Sequence, residues 1–147
     1  MLRKIMLTTA AIATVLSGLS VPASAQMAEV PSPNRNGDYT TAVMRGNRGN
    51  TYQVTRWLVV DPDPTYLNCR ATPNGRVQAR LAPGTLLRAV FEQNDAVIRQ
   101  NGSPWLRVRP SGGSTVGETS PCYVRANRQY IAPINGDSWL DVTGMNQ

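Results

Sequence analysis

Apolar positions in this chain fall in short runs divided by turn-forming residues, except for one long apolar run near the start. Residues 5–19 are mostly apolar, follow Arg3 and Lys4, and lead to Ala23-Ser24-Ala25. A short basic region, an apolar stretch short for a membrane span and a small-residue end together read as a cleavable secretory signal over residues 1–25. An uncleaved anchor helix is the alternative, opposed by Ser17, Gly18, Ser20 and Pro22, which interrupt the apolar character it needs. No later segment is apolar for long enough to span a membrane, so none is expected in the mature protein.

Residues 26–55 are rich in Pro, Asn, Gly and Arg, and PSPNRNGDY and MRGNRGN carry little apolar periodicity. They read as a flexible leader. Packing is expected to begin at Trp57-Leu58-Val59-Val60, a β-favouring run that DPDP at 61–64 ends. Residues 66–70 and 77–81 read as extended, with turns at TPNG (72–75) and Pro83-Gly84. In residues 86–92 the alternation places Leu87, Ala89 and Phe91 on one face and Leu86, Arg88 and Val90 on the other. Residues 96–100 and 105–109 flank Asn101-Gly102, the dipeptide that supplies the positive φ angles of a tight hairpin turn. A flexible loop is expected at 110–121, then a strand at 122–125, one tight helical turn at ANRQ (126–129) and Tyr130-Ile131. The tail, 135–147, is polar apart from Trp139, Leu140 and Val142, which are expected to dock on the domain. Nothing after residue 25 sustains a helical period, so the expected fold is all-β, a small barrel of about five to seven short strands over residues 56–134.

Without residues 1–25 the chain has 122 residues, room for one small domain. It then holds 13 basic and 9 acidic residues, a net charge of +4, and every basic residue is arginine. The arginines are scattered in sequence and read as a soluble basic surface, although such a surplus also favours anionic partners. There is no histidine. That excludes Ser-His-Asp and Cys-His nucleophile arrangements and histidine-ligated zinc. The carboxylates Asp61, Asp63, Glu92, Asp95, Asp137 and Asp141 read as solvated turn, strand-end or tail positions, and no phosphate-cradling glycine loop or calcium loop is present. The expectation is a protein that is not an enzyme, with no cofactor and no metal. Cys69 and Cys122, alone in a chain marked for an oxidising compartment, read as a structural disulfide; a redox thiol is the rival, without a C-x-x-C spacing or a histidine to activate it.

Four motifs in order give the stretch 66–131 a family likeness: LNCRATP at 67–73, RVQARLAPGTLLRAV at 76–90, Trp105-Leu106-Arg107-Val108, and Cys122-Tyr123-Val124. Together they resemble the bacterial SH3 domain (SH3b), whose members carry LNVRSGP-like, W-x-x-V and GWV segments in that order. The likeness covers roughly half of the mature chain. It departs from the pattern at Cys69 and Cys122, which replace the valine of NVR and the glycine of GWV. The resemblance implies an SH3-like barrel whose first and last strands close on each other, so that a disulfide between these positions would fasten the seam. A second departure is the long 110–121 segment.

The resemblance further implies an exported binding module, periplasmic or extracellular, that recognises cell-wall (peptidoglycan) peptide or glycan, or an envelope protein. Tyr66, Tyr123 and Tyr130 are the expected aromatic contacts, with Arg70 and Arg125 as partners for carboxylates. Trp105, large and amphipathic, is a natural contact too, but its near-core position assigns it to packing; Tyr123 shares that packing reading, and Trp57 is expected to cover one end of the barrel. The alternative function is a secreted protein-binding or inhibitor domain that uses the 110–121 loop. Nucleic acid is not an expected partner, because export removes the chain from it.

Overall fold

The computed structural model describes residues 30–46, 49–63, 66–113, 115–117 and 120–134, and the backbone of 139–141. The expected signal, residues 1–25, lies outside the described residues, as do the side chains of the expected docking segment Trp139, Leu140 and Val142. The described chain is all-β. Its strands are β1 (Val43–Arg45), β2 (Thr51–Val54), β3 (Arg56–Val59), β4 (Leu67–Arg70), β5 (Val77–Leu81) and β6 (Leu86–Ala89). They continue with β7 (Val97–Gln100), β8 (Ser103–Gly112), β9 (Thr115–Gly117), β10 (Cys122–Arg125), β11 (Ile131–Pro133) and β12 (Trp139–Asp141). Among the described residues no helix is long and apolar enough to cross a membrane.

The larger sheet runs β11-β3-β6-β8-β10-β4-β5-β9, with β7 also paired to β8, and a smaller sheet runs β1-β2-β12. The larger one stays open, which corrects the expected barrel: among the described residues no ladder joins β11 to β9. The free edge of β3 is taken by β11 and that of β5 by β9, so the edges that closure would use already have partners.

Residues 110–112 and 115–117, expected within a loop, lie instead in β8 and β9. Leu87 pairs with Pro110 and Leu86 with Gly112, so β8 continues through the start of that segment, and residues 115–117 then fold back on β5. Gly113 makes this possible: its φ is +97°, and a Cβ there would lie 2.7 Å from Thr85 Cα. The Asn101-Gly102 turn forms as expected, with φ of 51° and 75°, and pairs Gln100 with Ser103. In β6, Leu87 and Ala89 are buried while Leu86 and Arg88 are exposed, as the alternation requires.

The segment read as a flexible leader supplies core instead. Tyr39, Ala42 and Val54 are buried with Trp57, Val59, Leu81, Leu106, Val108, Val124 and Ile131. Its apolar residues are too far apart in sequence to show a period, and they are brought in by polar anchors. Asp95 accepts hydrogen bonds from Thr41 Oγ1 and from the backbone N–H of Ala42, Ala96 and Val97, tying the leader to the start of β7. Asp38 accepts from Asn127 Nδ2 at 2.9 Å and pairs with Arg125 at 3.3 Å. Asp95 is therefore a structural acceptor, not the solvated carboxylate expected.

Trp57 lies wholly inside this core, not over an end. Its Nε1 donates to Val54 O at 3.0 Å, and Tyr39 packs edge-on against it, ring centres 5.1 Å apart at 80°. Burial raises the Tyr39 phenol above its ordinary value, with Arg128 pulling weakly the other way. The folded state thus favours the neutral phenol. Stability is expected to hold up to pH of about 10 and to fall as pH rises from there through the raised folded value. Urea unfolding across that range should record the fall, and Tyr39→Phe should flatten it; an unchanged slope in the variant would assign the loss elsewhere.

Candidate functional site

β4 and β10 lie side by side, with Tyr123 opposite Arg70, and the Cys69–Cys122 disulfide joins them. Alternation along these strands sends Cys69, Cys122 and Val124 into the core, while Asn68, Arg70, Tyr123 and Arg125 face outward. At the edge of this outward face is a groove of about 430 Å3. Tyr66, Arg70, Trp105, Arg125 and Tyr130 line it, together with Asp61, Asp63, Asn68, Asn74 and Ser103.

Four of the five residues expected to bind a ligand thus meet at one groove: Tyr66, Arg70, Arg125 and Tyr130. Tyr123 does not line it; its ladder position sets it between Arg107 and Arg70. The two arginines are engaged differently. Arg125 donates from Nη1 to Pro104 O at 2.9 Å, pairs through Nη2 with Asp38, and lies over the Trp105 ring at 5.5 Å. It is held by three partners and shapes the wall. Arg70 donates from Nη1 to Gly75 O at 2.7 Å, which orients the guanidinium and leaves most of its five donors for something else.

Tyr66 is half exposed and holds φ at +84°, a conformation that a bulky residue rarely adopts. Such strain persists only where the surroundings impose it, and it concentrates at functional sites. Tyr130 is placed by the turn after β10. Its N–H donates to Asn127 O, its carbonyl accepts from Val60 N, and Asn127 Oδ1 caps the Gln129 N–H. The ANRQ turn is thus present, as a capped turn without a helix.

Sequence reading missed two features of this groove and assigned a third, Trp105, to packing. Asp61 is buried at 7% exposure and its Oδ1 accepts the Asp63 N–H at 3.0 Å, an Asx turn that the DPDP spelling permits. Trp105 packs as expected, yet it also lines the groove, and its buried Nε1 has no acceptor among the described residues. Asn68 and Asn74 add amides beside the arginines; Asn74 sits in the TPNG turn with φ of 60°. The result is a mixed lining of cations, carboxylates, amides and aromatic faces. Chemically it can hold a polar ligand bearing both an anionic and a cationic or donor group. Comparison with protein-family models, curated proteins and solved structures gives no match.

Proposed function

We propose that the protein is an exported, non-enzymatic binding module, periplasmic or extracellular, related to the bacterial SH3 domains and recognising a peptide or glycan of the cell wall. The observation that carries this reading is the groove that gathers Tyr66, Arg70 and Tyr130 around Trp105, residues spread over 65 positions of sequence. The family likeness is supported by the strand order from β4 to β10 and by the adjacency of Cys69 and Cys122, the two positions where the motifs depart together. A disulfide suits an oxidising compartment. For ligand chemistry, Arg70 offers a planar fork to a carboxylate, Asp61 and Asp63 offer acceptors, and Tyr66 and Tyr130 offer ring faces to a sugar or peptide backbone.

Co-sedimentation of the purified protein with peptidoglycan at low and high salt tests the proposal. The protein is expected to pellet at both, because a formed groove with aromatic walls is less screened than a surface charge. Tyr66→Asn, which tolerates positive φ, and Arg70→Gln are expected to lower the bound fraction without loss of folding. Absence from the pellet at every salt would remove the wall as ligand and leave an envelope protein as the partner.

A further inference from the structure

The arginines look scattered in sequence, but the ladders collect three of them. Arg56 on β3 stands opposite Arg88 on β6, and Arg88 stands opposite Arg109 on β8. Directly paired residues share a face, so these three form one row across neighbouring strands, with backbones about 5 Å apart at each step. All three are exposed, and none makes an ion pair or a side-chain hydrogen bond among the described residues. Elsewhere on this sheet arginines do find partners: Arg107 pairs with Glu92 and Arg125 with Asp38.

Like charges directly opposite each other on a ladder oppose folding. The fold gains nothing visible from placing three in a line. Beside the row runs a second groove, of about 410 Å3, lined by Arg56, Leu86, Leu87, Arg88, Ser111 and Ile134. Leu86 is 41% exposed there, although it neighbours two cations. An uncovered apolar side chain next to unpaired guanidinium groups calls for an occupant that brings anions and apolar groups together.

We propose that the Arg56–Arg88–Arg109 row and its groove bind an acidic peptide segment of a protein partner. Side-chain carboxylates meet the guanidinium forks while an apolar side chain rests against Leu86 and Ile134. Bare polyphosphate supplies anions but nothing for the apolar wall. A lipid surface supplies both, but it is planar and this site is a groove. A peptide carries carboxylate and apolar side chains at adjacent positions and enters a groove readily. This surface is separate from the one at Tyr66 and Arg70, since the two groove linings have no residue in common.

The test uses the purified protein and a short fluorescent peptide rich in glutamate with leucines interspersed. Comparison probes are the same peptide with glutamines, inorganic polyphosphate, and phosphatidylglycerol vesicles. The glutamate peptide is expected to bind, and more weakly as salt rises. Arg88→Gln should weaken it about fivefold, and the triple Arg→Gln variant about a hundredfold. In the absence of peptide, the melting temperature of these variants should stay level or rise at low salt, because repulsion within the row is relieved. A merely structural arginine would lower it. Three results would each overturn the proposal: unchanged binding by the triple variant, equal binding of the glutamine peptide, or binding of polyphosphate or vesicles without binding of the glutamate peptide. Pelleting with peptidoglycan should be unaffected by the triple variant, so the two sites can fail independently.

Discussion

Replacing Cys69 and Cys122 together by alanine is expected to lower stability by about 4 kcal/mol, from the loop-closure entropy of a 53-residue separation. Both cysteines are fully buried in the core and join β4 to β10, where the ladder has a single register pair, Tyr123 with Arg70. The seam is therefore thin in backbone bonding, and its covalent link restricts the unfolded chain across most of the larger sheet. Urea unfolding of the double variant should give a lower midpoint, and reductant should carry the unaltered protein to the same place. A variant that unfolds at an unchanged midpoint would mean that packing of Val124, Leu106 and Val108 holds the seam alone.

The second large effect is expected at Trp57. Trp57→Ala should cost about 3–5 kcal/mol, the range for deleting a buried aromatic side chain. The loss has three sources here. A fully buried indole leaves a cavity, the edge-on contact with Tyr39 disappears, and Val54 O loses the Nε1 donor. Trp57→Phe should cost less, because it restores most of the ring volume, although it still loses the donor to Val54 O. Near-ultraviolet circular dichroism alongside urea unfolding separates loss of packing from loss of fold. A cost for Trp57→Ala as small as that of an exposed substitution would place the residue outside the core.

Residues 77–81 and the Asn101-Gly102 hairpin were readable because local chemistry dictates them: bounding turn residues in one case, positive φ in the other. The face assignment in β6 followed from alternation along the strand. What escaped reading depends on distant pairing. Tyr39 and Ala42 sit among Asn, Gly and Arg with no local period, and they are buried only because Asp95 and Asn127 fasten the segment around them. Residues 110–112 and 115–117 lack strand propensity at their glycines, yet the waiting edges of β6 and β5 draw them into ladders. Open edges, not composition, decided that segment and left the sheet unclosed. For the groove, residue type was a usable guide: aromatic and arginine positions in and beside short strands led to Tyr66, Arg70, Arg125 and Tyr130. Asp61 was not legible, since burial of a proline-flanked aspartate depends on the neighbouring strands.

The fastening of the N-terminal segment also bears on the order in which the chain can fold. Asn36 and Asp38 bond to Asn127, 91 and 89 residues later, and Thr41 bonds to Asp95, 54 residues later. Contacts this remote form only after the intervening chain has been gathered, and β proteins dominated by them fold in about milliseconds to seconds. The segment that leaves the ribosome early therefore waits for nearly the whole domain to follow it. Until β7 and the turn after β10 exist, Trp57 and Tyr39 have no shelter, and a chain cut short of residue 127 would present them to any holding chaperone.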